Sequence, residues 1–303
     1  MSTKTLTVFT PTFNRAQTLY QGYEALQRQT CRDFVWLILD DGSSDGTREL
    51  VSQWIAEKKI DIRYHYQDNQ GLHAAHNTAY GLIDTELFMY IDSDDYLPDD
   101  AVENIVSCWR MHQKEEYAGI IGLCQTSEGL LIGKRLPENQ TSTTFTEYFY
   151  KKRGEGDKIL VYRTEVIRKY PPYPVFEGEK YVGLASLTRL IDRDYRMVIL
   201  NKPLSNKKYC LDGISRNRYH LFWNNPKGYI YYRINEMQTV PTLKRRFMVC
   251  IHYVSSCIRA KDTNWLVQSP YKLLTLLAAP WGLMLHGYLW YKVKSEQKFI
   301  LKY

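Results

Sequence analysis

Residues 34–47 read FVWLILDDGSSDGT. Six apolar residues in succession leave no solvent face, which suits a strand covered on both sides by helices, as in a parallel sheet. The run stops at Asp40 and Asp41. Gly42, Ser43, Ser44, Asp45 and Gly46 then carry turn chemistry, and Asp45 or Thr47 can cap the helix predicted over residues 47–57. A turn and a cap account for residues 42–47 but not for two acids directly behind an apolar strand. A carboxylate there can accept a hydrogen bond from an N–H donor such as a uracil imide.

The flanking sequence repeats this unit. Residues 6–10 (LTVFT) form a short β-rich run ending at Pro11, and residues 16–29 place Leu19, Tyr23 and Leu26 on one helical face. Residues 61–66 alternate as a strand, residues 73–82 read as a helix, and residues 87–91 (LFMYI) as another buried strand. Pro98 with Asp99 and Asp100 suits the first turn of a helix running to about Met111. The β-α-β-α-β-α-β-α pattern predicts an α/β, Rossmann-like, mostly parallel sheet flanked by helices. In such sheets ligands bind beyond the carboxyl ends of the strands. Three polar segments fall there: the loop after Thr10, the Asp40 loop and the cluster Asp92-Ser93-Asp94-Asp95.

Further along, residues 119–124, 159–162 and 196–200 read as strands, and residues 142–157 as a loop. Residues 171–179 (PPYPVFEGE) exclude a regular helix. Helices are expected over residues 181–191, 225–237 and 242–259.

In an extended segment Asp92 and Asp94 point to the same side. Two carboxylates that close repel unless a cation lies between them or one is protonated. Carboxylates with water and phosphate oxygens suit Mg²⁺ or Mn²⁺. Solvation of a loop ahead of the Pro98 helix is the bland alternative. Neither G-x-x-x-x-G-K-[ST] nor a post-strand G-x-G-x-x-G occurs, so a phosphate would need a metal in place of a Gly-rich cradle.

Taken in order, four motifs resemble the signature of family 2 glycosyltransferases of the GT-A fold: Thr10-Pro11-Thr12-Phe13-Asn14-Arg15, residues 39–47, Asp68-Asn69-Gln70-Gly71-Leu72 with Asn77, and Ile91-Asp92-Ser93-Asp94-Asp95. They lie within residues 5–110. The resemblance implies inverting transfer from a nucleotide sugar, most often a UDP-sugar, with Mn²⁺ or Mg²⁺ as cofactor. It implies that Thr10, Pro11 and Asn14 line the nucleotide pocket and that Asp41 hydrogen-bonds the uracil. Asn69, Gln70 and Gly71 would close over the nucleoside. Asp92, with Ser93 beside it, would contact ribose or metal, Asp94 would ligate the metal against the diphosphate, and Asp95 would face the sugar. His76 stands where many relatives carry Arg, as a phosphate contact or as a structural helix histidine. For the base that takes the acceptor's proton, Glu179 is favoured over Glu177, with an N-cap role as the alternative for Glu179. Residues 212–215 (DGIS) resemble a segment that closes the site in some relatives. The Q-x-x-R-W motif of processive enzymes is absent, which favours one sugar per encounter.

The net charge of +7 conceals an asymmetry: residues 1–150 hold 12 Lys+Arg and 22 Asp+Glu, a net −10, and residues 151–303 hold 28 and 11, a net +17. A basic half seeks an anionic partner. No nucleic-acid-binding motif is present, and the acidic half would repel phosphate, so nucleic acid is not expected. The six cysteines form no C-x-x-C pair and read as reduced thiols, and no secretory signal opens the chain.

Residues 273–291 (LLTLLAAPWGLMLHGYLWY) lack formal charge apart from His286 and are flanked by Lys272, Lys292 and Lys294. Pro280, Gly282 and Gly287 weaken a spanning helix, whereas Trp281, Tyr288, Trp290 and Tyr291 suit an interface. An interfacial or partly inserted helical hairpin on anionic lipid is preferred. A spanning helix comes second, and a buried helical pair or homodimer interface third. The expected organisation is a GT-A catalytic domain over residues 1–240, nucleotide-binding over residues 1–115 and acceptor-binding over residues 116–240, followed by a basic, apolar helical region over residues 241–303. The expected protein is cytoplasmic, peripherally attached to the inner face of the membrane. It transfers a sugar from a UDP-sugar donor to a lipid-linked saccharide acceptor in capsule or other cell-surface polysaccharide synthesis. The alternatives are a nucleotidyltransferase on a related fold and a non-catalytic sugar-nucleotide-binding protein.

Overall fold

Every residue of β1 (Leu6–Thr12) and β2 (Phe34–Asp40) is buried, as two-sided cover requires. The computed structural model of the chain describes residues 4–208 and 218–300. The remaining strands are β3 (Ile62–Tyr66), β4 (Leu87–Tyr90), β5 (Tyr117–Thr126), β6 (Ser142–Thr143), β7 (Lys158–Arg163) and β8 (Arg196–Lys207). They join in one sheet of order β3-β2-β1-β4-β7-β5-β8-β6. β1 pairs in parallel with β2 and β4, and β2 with β3, whereas β7 runs antiparallel to β4 and β5. The parallel half is thus the portion predicted from the alternating pattern.

Helices α1 (Ala16–Gln27), α2 (Thr47–Glu57), α3 (Leu72–Leu82) and α4 (Ala101–His112) cover that half. Tyr23 and Trp54 stack at 4.3 Å, and Trp54 stacks on Trp36 of β2 at 5.8 Å. The helix expected from Pro98 begins at Ala101, because residues 98–100 form a turn closed by the Ala101 N–H on the Pro98 carbonyl. The expected loop over residues 142–157 contains β6 and a π-helical turn, Glu147–Lys151.

The strand expected to end at residue 200 continues to Lys207. Asn201, Lys202 and Pro203 break its alternation, and the ladder to β5 absorbs them in register shifts around Leu123.

The backbone divides into two units, Met1–Pro172 with Ile191–Tyr209, and Tyr173–Leu190 with Cys210–Tyr303. The whole sheet lies in the first. The short helices α5 (Thr164–Ile167) and α6 (Ala185–Ile191) follow β7 and the Pro-rich stretch. The second unit contains α7 (Arg218–Asn224), α8 (Pro226–Thr239), α9 (Leu243–Ala260), α10 (Trp265–Gln268) and α11 (Lys272–Ile300). The expected hairpin in residues 273–291 is instead one helix with Pro280 inside it. Gly282 is a point of close approach there: a Cβ would lie 2.5 Å from Val254 Cγ1 of α9.

Candidate active site

The carboxyl ends of β1, β2 and β4 carry the expected polar segments, and hydrogen bonds tie the first two together. The Asn14 N–H donates to Ser43 Oγ at 2.8 Å, and Asn14 Oδ1 accepts from the Ser44 N–H at 2.8 Å. Asn14 holds φ 52°, a left-handed conformation that Asn tolerates. Asp45 serves two helices: its Oδ2 accepts from Ala16 N–H at 3.0 Å and its Oδ1 from the Thr47 hydroxyl at 2.6 Å. Burial works against its ionisation, but the bonds from Thr47 and Ala16 outweigh it and hold the carboxyl below its usual range.

The two consecutive acids have separate tasks. Asp40 is buried; its Oδ1 accepts from Ser43 N–H at 2.7 Å and its Oδ2 from the Tyr64 hydroxyl at 2.6 Å. Burial, with the Asp40 carboxylate, pushes the Tyr64 phenol up to about 12 and keeps it a donor. Asp41 organises the β3–α3 loop. Its Oδ1 accepts from Gln67 Nε2 at 2.7 Å and Gln70 N–H at 3.0 Å, and its Oδ2 from Gly71 N–H at 2.8 Å. Oδ2 therefore retains one acceptor position. Gly42, at φ 91°, lets this loop close: a Cβ would stand 2.8 Å from the Asn69 nitrogen. Asn69, Gln70 and Gly71 are thus held beside the β2 rim.

Thr10 and Pro11 are buried, and the Thr10 hydroxyl accepts from Trp36 Nε1 at 2.9 Å. Thr10 lines a narrow crevice of about 10 Å³, room for a single water, with Asp92, Ser93 and Asp95, so the rim of β1 and the Asp92 cluster share one wall. Asp94 is half-buried and makes no hydrogen bond or ion pair with the described residues. Asp95 departs from expectation. It is 5% exposed, its Oδ1 accepts from Lys208 N–H at 3.1 Å, and its Oδ2 pairs with the Lys207 ammonium. A carboxylate so engaged anchors the end of β8 and is not presented to a sugar. Burial pushes its carboxyl up to about 6, with Asp92 adding to the rise against the pull of Lys207. Lys207 also reaches Asp92 Oδ2 at 3.2 Å. Burial disfavours its charge, but Asp92 and Asp95 outweigh that and keep it an ammonium.

Lys207 was invisible in the sequence because its strand was expected to end seven residues earlier. Of the two expected readings of His76, the geometry favours the structural one: it is fully buried, with Phe9 and Tyr90 rings each 4.9 Å away and Tyr80 Oη 3.0 Å from Nδ1. Burial, with His73 adding, lowers its imidazole to about 3, so it is a neutral core ring and not a phosphate contact.

Residues 7–170 match the family model described as "Glycosyl transferase family 2". The chain belongs to glycosyl transferase family 2. This family 2 chain is 30% identical over 121 residues to the GalNAc(5)-diNAcBac-PP-undecaprenol beta-1,3-glucosyltransferase of Campylobacter jejuni, covering 39% of this chain and 38% of that one. The curated relatives it matches are covered over 14 to 38% of their own length. Among solved structures, S. aureus TarS 1–349 in complex with UDP-GlcNAc aligns with a TM-score of 0.58 at 15% identity, over 90% of this chain and 79% of that one. The mannosyltransferase PcManGT from Pyrobaculum calidifontis, in complex with GDP-Man and Mn²⁺, aligns with a TM-score of 0.53 at 14% identity, over 92% and 86%. These likenesses establish the GT-A fold.

In the second unit, the favoured base is engaged elsewhere. Glu179 is 8% exposed, and its two oxygens accept from the N–H groups of Lys227 (2.9 Å) and Gly228 (2.8 Å) in the first turn of α8. It caps that helix, a role suited to a carboxylate at a helix N-terminus. Glu177 is exposed on the preceding turn. The Asp212–Ser215 segment lies outside the described residues.

Lys272–Ser295 of α11 is long and apolar enough to cross a membrane, at a mean hydropathy of 1.3. Thr275, Ala278, Gly282 and Val293 form its buried stripe, whereas Leu273, Leu277, Trp281, Met284, Tyr288 and Tyr291 are exposed. A water-soluble surface helix carries polar residues on its outer face; here the outer face is apolar as well as the packed one.

Proposed function

We propose that this family 2 glycosyltransferase transfers one sugar, with inversion, from a UDP-sugar to a hydroxyl of a lipid-linked glycan during synthesis of a bacterial cell-surface polysaccharide such as a capsule. The observation that carries the reading is Asp94, half-buried beside Asp92 at the rim and without a partner among the described residues. Asp92 and Asp94 would hold Mn²⁺ or Mg²⁺, which needs only one or two protein carboxylates when phosphates and water complete the shell. The cation would neutralise charge developing on the departing UDP. The remaining Asp41 acceptor position suits the uracil imide, and the Asn69–Gly71 loop that Asp41 holds closes over the nucleoside. Of the two glutamates weighed as base, Glu179 caps α8 and Glu177 is exposed and not so engaged, which supports Glu177 for that role. The acceptor oxygen bonds to the anomeric carbon as the bond to the β-phosphate oxygen breaks, and the hydroxyl proton passes to Glu177.

The UDP-GlcNAc complex of TarS supports a UDP-sugar donor, and the undecaprenol-linked name of the Campylobacter relative supports a lipid-linked acceptor. The exposed apolar face of α11, with Lys272, Lys292 and Lys294 at its ends, supports peripheral attachment to the cytoplasmic face of an anionic membrane. The test is release of UDP from a panel of UDP-sugars with Mn²⁺ and membrane lipid extract. Turnover of one UDP-sugar, lost with chelator, is expected; turnover unaffected by chelator would refute the metal role, and no turnover of any UDP-sugar would refute the donor class.

A further inference from the structure

We infer that Lys207 is a built-in counter-cation that competes with the metal for Asp92 and thereby couples metal binding to nucleotide binding. The inference rests on the proposed metal and donor. Its basis is a contact that no motif announces. The last residue of β8 places its ammonium 3.2 Å from Asp92 Oδ2 and in an ion pair with Asp95. The Lys207 side chain is 17% exposed and that of Asp95 3%, so this charge is held in place and not waving in solvent. Asp95 is doubly committed, because it also accepts the Lys208 N–H at 3.1 Å. Further hydrogen bonds fix the same strand end: the Asn206 backbone N–H donates to the Tyr96 carbonyl at 2.7 Å, and the Gln125 side-chain Nε2 donates to Asn206 Oδ1 at 2.8 Å. Asp92 is the looser partner, with 45% of its side chain exposed.

Three carboxylates in four residues would repel one another without a cation. Lys207 supplies one before any ligand arrives. A divalent ion that uses Asp92 must share that carboxylate with the ammonium or displace it, so metal alone binds weakly. A nucleoside diphosphate brings acceptor oxygens that can take the ammonium from Asp92 while Asp95 keeps its hold. Each ligand then favours the other by the same factor, as linkage requires. The coupling adds to any direct bond between metal and phosphate.

The experiment is titration of Mn²⁺ into the full chain, followed by electron paramagnetic resonance of free Mn²⁺, with and without UDP. Wild type, Lys207→Met and Lys208→Met are compared. Lys208 is the control for general field effects, because its side chain is exposed and its link to Asp95 is through the backbone. Lys207→Met should bind Mn²⁺ alone about tenfold more tightly, and the factor by which UDP improves Mn²⁺ binding should fall by about tenfold. Lys208→Met should shift Mn²⁺ affinity less than about threefold, within the reach of a screened surface charge. The double variant Lys207→Met/Asp95→Asn removes the buried carboxylate that the single change would strand, and should reproduce the tighter Mn²⁺ binding in a folded protein. Unchanged or weaker Mn²⁺ binding in Lys207→Met and in the double variant would overturn the inference, as would an equal effect of Lys208→Met. Wild type that binds UDP with no dependence on Mn²⁺ would instead overturn the metal reading beneath it.

Discussion

Asp94 and Asp41 differ in what they are free to do. Asp94 makes no bond with the described residues, so replacing it should cost ligand binding and little stability. Asp94→Ala is expected to lower UDP-sugar turnover by about 100-fold or more, with a melting temperature close to wild type. Asp41 holds three donors of one loop, so Asp41→Ala should weaken UDP binding and also lower the melting temperature. The two glutamates separate in the same way. Glu177→Gln should reduce turnover by about 100-fold or more at intact UDP affinity. Glu179→Gln should chiefly destabilise, by about 1 kcal/mol, through weaker capping of α8. Turnover and UDP affinity by calorimetry, with thermal melts, separate these outcomes.

At the scale of elements, the parallel half was readable because its strands and helices obey simple periods. The run over residues 34–40 could be only a two-sided strand, and Gly46 and Thr47 open α2 where the turn chemistry ends. What stayed hidden depended on tertiary contacts. β8 outlasts its alternation because β5 accommodates the irregularity, and so the sequence concealed Lys207. His76 resembled a ligand because it stands where many relatives carry Arg, yet the rings of Phe9 and Tyr90 enclose it. His76→Phe is therefore expected to leave UDP affinity within about twofold. Asp45 links two helix starts, and its lowered pKa gives a pH signature. A carboxyl lowered in the folded state stabilises above its unfolded pKa, near ~4, and that contribution is lost as pH falls through the folded value. The stability gap between wild type and Asp45→Asn should be full above about pH 5 and should close in stronger acid. Thermal melts across that range are the check.

At the scale of the whole molecule, the −10 and +17 halves hold their charge in different structural settings. Acid in the first half builds loops as much as it offers ligands: Asp40, Asp45 and Asp95 are engaged by donors of their own unit, and Asp41 is engaged by three such donors while keeping one acceptor position. In the second half, Lys272, Lys292 and Lys294 flank an apolar helix whose outer face is exposed among the described residues. Leu277→Glu/Met284→Glu, two changes on that exposed face, should abolish co-sedimentation with anionic vesicles and leave the melting temperature unchanged. If a homodimer covers this face instead, the same variant would become monomeric with no change in vesicle binding. The central claim, that the strand-end loops hold a nucleotide through a metal on Asp92 and Asp94, is tested most directly by calorimetric titration of UDP into wild type and Asp94→Asn, each with Mn²⁺ and with chelator. Saturable binding is predicted for wild type with Mn²⁺, and affinity lower by about tenfold or more with chelator or in Asp94→Asn. Equal UDP affinity in all four titrations would contradict the account.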